Sequence, residues 1–273
     1  MSCAERDDEL FPCAFSELVK AMSRVSRIIA LITGAIVLML SAKAHAQSDS
    51  TKNWRFGVTP YLWLSGLDGK VGIGPVASNV DLGVGDVLDM LKFGIMGTAE
   101  ARKGQWLISV DGIYVSLGQG QVIAFRGDTG TLELNQHETI IQPVGGYTIG
   151  DNVWAVDLLG GFRYWNLGAT LNVDTSRRPS NERSAGRSWA DATAGFRFRW
   201  VPLPSFRFVA AADGGGGGAK STWQAYSSVG FDPWRHWTLG AAYRWLSVDY
   251  DRSNFLYDTD MKGFVLGATY RWQ

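Results

Sequence analysis

Beyond residue 46 the chain offers two histidines, His137 and His236, and no cysteine. His137-Glu138-Thr139 is the one arrangement in which a carboxylate adjoins an imidazole. In an extended segment neighbouring side chains point to opposite faces, so Glu138 is badly placed to orient His137 as a base. His236 falls in a turn beside Trp234 and Trp237. No G-x-S-x-G, H-E-x-x-H or phosphate-loop motif occurs. The segment with Asp249, Asp251, Asp258 and Asp260 faintly echoes a calcium loop in its spacing at 249, 251, 253 and 260. The required glycine and closing glutamate are missing, so it reads as a solvated hairpin tip, with weak cation binding the alternative. The expectation is no catalytic residue, no metal site and no cofactor.

The chemistry the chain does carry is charge on one face of its alternating segments. Glu100, Arg102, Asp111, Glu138, Asp157, Arg163, Asp191, Arg197, Arg199, Arg207, Asp213, Arg244 and Arg271 share the inward parity with Gln142 and Gln224. Enclosed together, such charges must pair, because an unpaired buried charge costs several kcal/mol. Two readings follow: an ion-paired plug that replaces a core, or a narrow, charge-lined conduit. The plug is the expectation.

The elements that would hold these residues are strands with two unlike faces. In "SWADATAGFRFRWV", Ala190, Ala192, Ala194, Phe196, Phe198 and Trp200 oppose Asp191, Thr193, Gly195, Arg197 and Arg199. The final segment sets Phe264, Leu266, Ala268, Tyr270 and Trp272 against glycine, threonine and Arg271. Strands are predicted over 53–64, 92–102, 105–117, 133–149, 152–166, 188–201, 206–214, 221–231, 237–250 and 262–272. Short turns alternate with long connections at 65–91, 118–131, 167–187, 214–220 and 251–260, the layout of a transmembrane, antiparallel, up-and-down β-barrel. The predicted fold is all-β, with about ten strands and alternatives of eight or twelve. An even number puts both termini at one end.

In such a barrel the apolar parity meets lipid and the polar parity lines the lumen. Trp54, Trp106, Trp154, Trp200, Trp237, Tyr270 and Trp272, with Phe206 and Phe231, cluster near the short turns as an interfacial aromatic girdle. Tyr61/Trp63, Tyr164/Trp165 and Tyr243/Trp245 read as the opposite, outer girdle, with a carbohydrate or lipopolysaccharide platform the alternative. A parity change near His137 predicts a bulge, or a strand that leaves the membrane there. The stretches "KVGIG" and "SNVDLG" form either an extra hairpin above the membrane or two further strands. "GDVLDMLKF" reads as a short helix at the rim, and Gly214–Gly218 as a flexible external turn, with a close-approach surface in the lumen the alternative.

The N-terminus has its own grammar. From Met22, Arg24 and Arg27 precede an apolar run, Ile28 to Leu40, and Ala44-His45-Ala46 is a small-x-small cleavage pattern. This is a secretory signal peptide, too short to span as a helix. Residues 1–46 are therefore read as N-terminal extension plus signal peptide, with Met22 the expected start, and 47–273 as the barrel. Cys3 and Cys13 both lie in the first segment, so no disulfide framework is expected in the second. Lysine plus arginine equals aspartate plus glutamate at 26 each, which removes any electrostatic reason to expect nucleic acid.

The signal peptide, the alternating strands and the near-terminal "YRW" together resemble the small outer-membrane β-barrel proteins of Gram-negative bacteria, of the OmpA/OmpW-like kind. The chain departs from their pattern in ending on Gln273 rather than on the aromatic. The resemblance implies residence in the bacterial outer membrane with both termini periplasmic. It also implies outer-membrane lipid and lipopolysaccharide as surroundings, and the barrel-assembly machinery as a partner. It implies a structural role or a narrow passive channel; the alternative is an outer-membrane enzyme with its site at the outer rim. Arg177, Arg178, Arg183 and Arg187, against Glu182, form a basic loop that reads as solvated, with lipopolysaccharide phosphates the alternative ligand.

Overall fold

A computed structural model describes residues 53–125, 128–175 and 178–273. The signal-peptide region, the expected start at Met22 and the boundary at residue 46 lie outside the described residues. So do the side chains of Arg177, Arg178, Glu182 and Arg183.

Eleven strands form one antiparallel sheet: β1 (Arg55–Ile73), β2 (Val76–Leu82), β3 (Leu91–Lys103), β4 (Trp106–Phe125), β5 (Asp128–Gly150), β6 (Trp154–Thr175), β7 (Arg178–Leu203), β8 (Phe206–Gly217), β9 (Ser221–Trp234), β10 (Trp237–Arg252) and β11 (Phe255–Trp272). From β3 to β11 each strand pairs with its chain neighbour, β3 pairs past β2 with β1, and β11 pairs with β1 from Phe56↔Trp272 to Ile73↔Phe255. That pairing closes a ten-stranded up-and-down barrel, so neither the first nor the last strand of the ring is left as an end strand. The eleventh strand, β2, is an arm that folds back on the upper half of β1, with Ile73 opposite Val76 and Leu67 opposite Leu82. The "KVGIG…SNVDLG" region is thus the extra hairpin, and a short helix, α1 (Val84–Met90), follows it.

The alternation works as its chemistry requires. Phe162, Phe196, Phe264 and Leu266 are exposed on the outside, while Asp157, Arg163, Asp191 and Thr193 are buried inside. So large an exposed apolar surface is the mark of a wall that meets lipid. The fold is an antiparallel barrel of the outer-membrane type. The lower rim carries the tight turns, each tied to its neighbour: Asp232 N–H donates to the Ser205 carbonyl at 2.8 Å, and Arg271 N–H to that of His236 at 2.9 Å. In the turn after β5, the N–H groups of Val153 and Trp154 donate to the Asp151 carboxylate, at 2.8 and 2.9 Å, and hold its pKa below the usual carboxylate range.

Several expectations are corrected. Above the wall the strands continue as tall hairpins, so much of 118–131 and 167–187, read as loop, is ladder. No bulge interrupts β5 at His137: the register with β4 is unbroken from Trp106↔Tyr147 to Phe125↔Asp128. The local oddity is Pro143, where the β5–β6 ladder skips from Ile141↔Tyr164 to Val144↔Gly161, because proline has no N–H to contribute. The glycine run is not a flexible turn. Gly214–Gly217 lie within β8, paired to β7 as Thr193↔Gly215 and Ala192↔Gly216, and the turn is Gly218–Lys220. A side chain at Gly215 would strike the Ala192 carbonyl oxygen at 1.8 Å.

The outer girdle is the largest correction. Tyr61, Trp63 and Trp165 point inward and are buried. The exposed upper aromatics include Tyr243, Trp245, Trp223 and Phe93, with Phe264 beside Tyr243 at 5.3 Å between ring centroids. The lower set lies on the outside near the short turns: Trp54, Trp106, Trp154 and Trp200 are exposed, and Trp237, Tyr270 and Trp272 half-buried. Neighbouring rings meet around the wall, as in Trp237–Tyr270 at 5.0 Å and Phe56–Trp272 at 5.8 Å.

Candidate functional site

Inside the barrel the polar side chains stack in tiers. At the lower end Asp232 accepts from Arg207 Nε at 2.6 Å and from the Thr238 hydroxyl, to which Arg271 also donates, at 2.7 Å. Asp232 was read as part of a turn. Its parity with Gln224 on β9 is the signal that places it in the lumen.

The next tier is built on Asp157, whose side chain is 0 % exposed. Three guanidiniums converge on it: Arg102 at 2.7 Å, Arg197 at 2.9 Å and Arg199 at 3.1 Å. The Thr148 hydroxyl adds a fourth donor at 2.7 Å. Glu100 completes the cluster, taking Arg197 at 2.6 Å and Arg102 on its other oxygen. β6 and β7 set Asp157 directly opposite Arg197, and β3 brings Glu100 and Arg102 from the next quarter of the wall. Each acid thus shares its charge with more than one arginine, which is how enclosed charges avoid the cost of an uncompensated ion.

Above this, Arg163 (0 % exposed) donates to Asp213 at 2.5 Å, to Thr222 at 2.7 Å and to Gln142 at 3.1 Å. Gln224 bridges Gln142 and Asp213, and accepts from Arg244 at 2.7 Å. Arg244 reaches Asp111 at 3.0 Å, and the Tyr61 hydroxyl donates to the same carboxylate at 2.8 Å. Small residues make room for these long side chains: a Cβ on Gly195 would sit 2.4 Å from that of Asp213.

Among the described residues, two of the expected lumen acids take no arginine. Asp191 faces Arg163 in register, yet accepts from Trp189 Nε1 at 3.0 Å and the Ala219 N–H at 2.7 Å. Glu138 accepts from the Tyr257 hydroxyl at 3.4 Å. Both belong to the uppermost tier, which is apolar. Trp165 and Trp189 stack at 5.6 Å, Tyr250 lies on Trp189 at 4.1 Å, and Leu246, Val248 and Met261 fill the space around them. Trp63 is the hinge between tiers, with the Arg244 guanidinium 4.9 Å from its ring centre. Parity places Trp165 and Trp189 inside with Arg163 and Asp191, so this tier too had a signal in the sequence.

The histidines lie elsewhere. His137 is exposed on the outer face, so close over Gly168 that a Cβ there would meet its ring at 2.1 Å. His236 stands at the lower rim, its Nδ1 3.0 Å from the Arg271 carbonyl. At the upper tip Lys220 reaches Asp251 at 3.1 Å and Asp249 at 3.6 Å, so the acidic tip is already paired with a cation. Arg187 donates to the Ser253 carbonyl at 3.0 Å.

No family model matches this sequence, and no curated protein does. Several solved structures of bacterial outer-membrane proteins have a similar outline. The outer membrane protease OmpT from Escherichia coli aligns at 10% identity, 84% of this chain and 99% of that chain, with a TM-score of 0.49. The translocator domain of the autotransporter NalP from Neisseria meningitidis aligns at 12% identity over 93% and 98%, with a TM-score of 0.42. An outer membrane channel from Pseudomonas putida F1 aligns at 9% identity over 84% and 99%, with a TM-score of 0.35.

Proposed function

We propose that this protein is a plugged barrel of the bacterial outer membrane, a structural element of that membrane rather than an open pore or an enzyme. The observation that carries the reading is Asp157, wholly enclosed and shared by three arginines, beneath a tier of stacked tryptophans. A conduit would keep such charges hydrated; here they satisfy one another. No catalysis is assigned, since His137 and Glu138 lie on opposite faces of β5. In this reading lipid and lipopolysaccharide surround the wall, and the barrel-assembly machinery inserts it.

A narrow passive channel is the second reading. It is favoured by Arg199 and Arg207, whose side chains are 32% and 37% exposed at the lower end. Ion conductance across a planar bilayer separates the two: none is expected of the plug, and a steady current would favour the channel. The orientation has its own test. The short turns are assigned to the periplasm, so a protease added to intact cells should cut the tall hairpins near 126–127 or 176–177. Cleavage only after the outer membrane is ruptured would reverse the assignment.

A further inference from the structure

The ring of ten strands is closed, but one seam in it is not zipped. β11 occupies one edge of β1 along nearly its whole length. The other edge is divided: β3 takes its lower part, from Arg55↔Arg102 to Pro60↔Gly97, and β2 its upper part, from Leu67↔Leu82 to Ile73↔Val76. Between them, among the described residues, no strand pairs with Tyr61–Gly66 on that edge. Leu91–Met96 of β3 likewise pair only with β4. Continuing the β1–β3 register would bring Tyr61 to Met96 and Gly66 to Leu91, so the seam is six residues long on both sides. It opens at Pro60, which has no N–H to donate. Its upper end is bridged by α1, which touches both β1 and β4.

The seam sits within the lipid-facing wall. Leu64, on β1, pairs across its other edge with Phe264, which pairs in turn with Tyr243 of the upper aromatic set. Its outer lips are apolar: Ile95 is 63% and Phe93 50% exposed, with Leu62 and Leu64 on the facing strand. Behind it lie Tyr61, Trp63 and Met96, part of the apolar tier or packed against it. In antiparallel pairing about half of each strand's backbone groups point to a given neighbour, and along these two facing edges no strand stands in ladder with them, among the described residues. Within hydrocarbon an unsatisfied backbone group costs several kcal/mol, so a lipid-facing edge needs a polar partner. The only molecules continuous with this surface are lipids, and a lipid brings what the seam lacks: ester or amide carbonyls for the open edge, and an alkyl chain for the lips.

We propose that the β1–β3 seam is a lipid-binding site. It takes one acyl chain of an outer-leaflet lipid, with the chain between Leu62/Leu64 and Phe93/Ile95 and its linkage on the open backbone. The site rests on the membrane-embedded reading above. Photocrosslinking tests it, with the protein in phosphatidylcholine bilayers doped with a phosphatidylcholine that carries a diazirine on one acyl chain. Crosslinks are expected on Phe162 and Phe196, which any surrounding lipid reaches, and also on the inward residues Trp63 and Met96, which only a chain seated in the seam reaches. The region 47–273 has no cysteine, so Leu62→Cys/Ile95→Cys forms a disulfide only if the seam is drawn shut. The oxidised variant should lose the Trp63 and Met96 crosslinks and keep those on Phe162, and reduction should restore them, which also shows that the variant folds. Crosslinks on Phe162 without any on Trp63 or Met96 would overturn the site alone, as would inner crosslinks that survive the disulfide. No crosslinks at any position would overturn the membrane-embedded reading with it.

Discussion

Asp157 is the residue on which the lumen turns. Changing it to asparagine keeps its shape and removes its charge, which leaves Arg102, Arg197 and Arg199 facing a neutral amide. Breaking a buried pair in this way costs about 3–5 kcal/mol, the lower end where water reaches the cluster. Arg197→Ala should cost less, because Asp157 keeps two arginines and Glu100 keeps Arg102. Thermal unfolding followed by circular dichroism should therefore rank Asp157→Asn below Arg197→Ala, and both below the parent. Equal midpoints for all three would mean the cluster is solvated and its pairs worth little. At this scale the sequence was informative wherever parity decided the question: Asp157 and Arg197 share a face of adjacent strands and stand opposite each other in the ladder. What it did not reveal is the partner each arginine takes. Arg163 bypasses the facing Asp191 for Asp213, a choice made by rotamers and by the space that Gly195 leaves.

At the scale of the element, strand β7 shows how tightly the two faces are specified. Ala194 is exposed on the outer side, and an arginine there would stand in lipid, at about 2–4 kcal/mol near the bilayer midplane. Gly195, one residue on, faces inward, and any side chain on it would collide with the Asp213 Cβ and the Ala212 carbonyl oxygen, at 2.4 and 2.3 Å. Ala194→Arg and Gly195→Val should both deplete the folded, heat-modifiable band in gel electrophoresis, for opposite reasons. Ala194→Leu, an apolar change on the lipid face, should leave that band intact. Loss of the band in Ala194→Leu would undo the assignment of faces. Where the sequence reading erred was at strand ends. Tyr61, Trp63 and Trp165 were grouped with a girdle because of their height along the strand, although the parity of Trp165 matched that of Arg163. Gly214–Gly217 favour a turn by composition, because glycine runs are mostly loops, whereas here they let β8 lie close against β7. Neither the missing Cβ nor the neighbour it would hit is visible without the register.

For the molecule as a whole, the architecture was the most legible feature. Period-two alternation, ten segments and turns of alternating length describe a closed barrel without any family likeness. The arm β2 is legible as one of two readings of its segment, but the seam beneath it is not, because it depends on which edge of β1 each later segment occupies. The barrel carries charged tiers below and an aromatic tier above, so a solute would have to displace both to cross. The central claim is that it does not. Single-channel recording on the purified barrel in a planar bilayer tests this most directly. The account predicts a silent membrane for the parent, and at most brief, irregular openings for Arg197→Ala as its tier loosens. A parent that conducts steadily, with a cation/anion preference that moves when Arg197 is replaced, would contradict it.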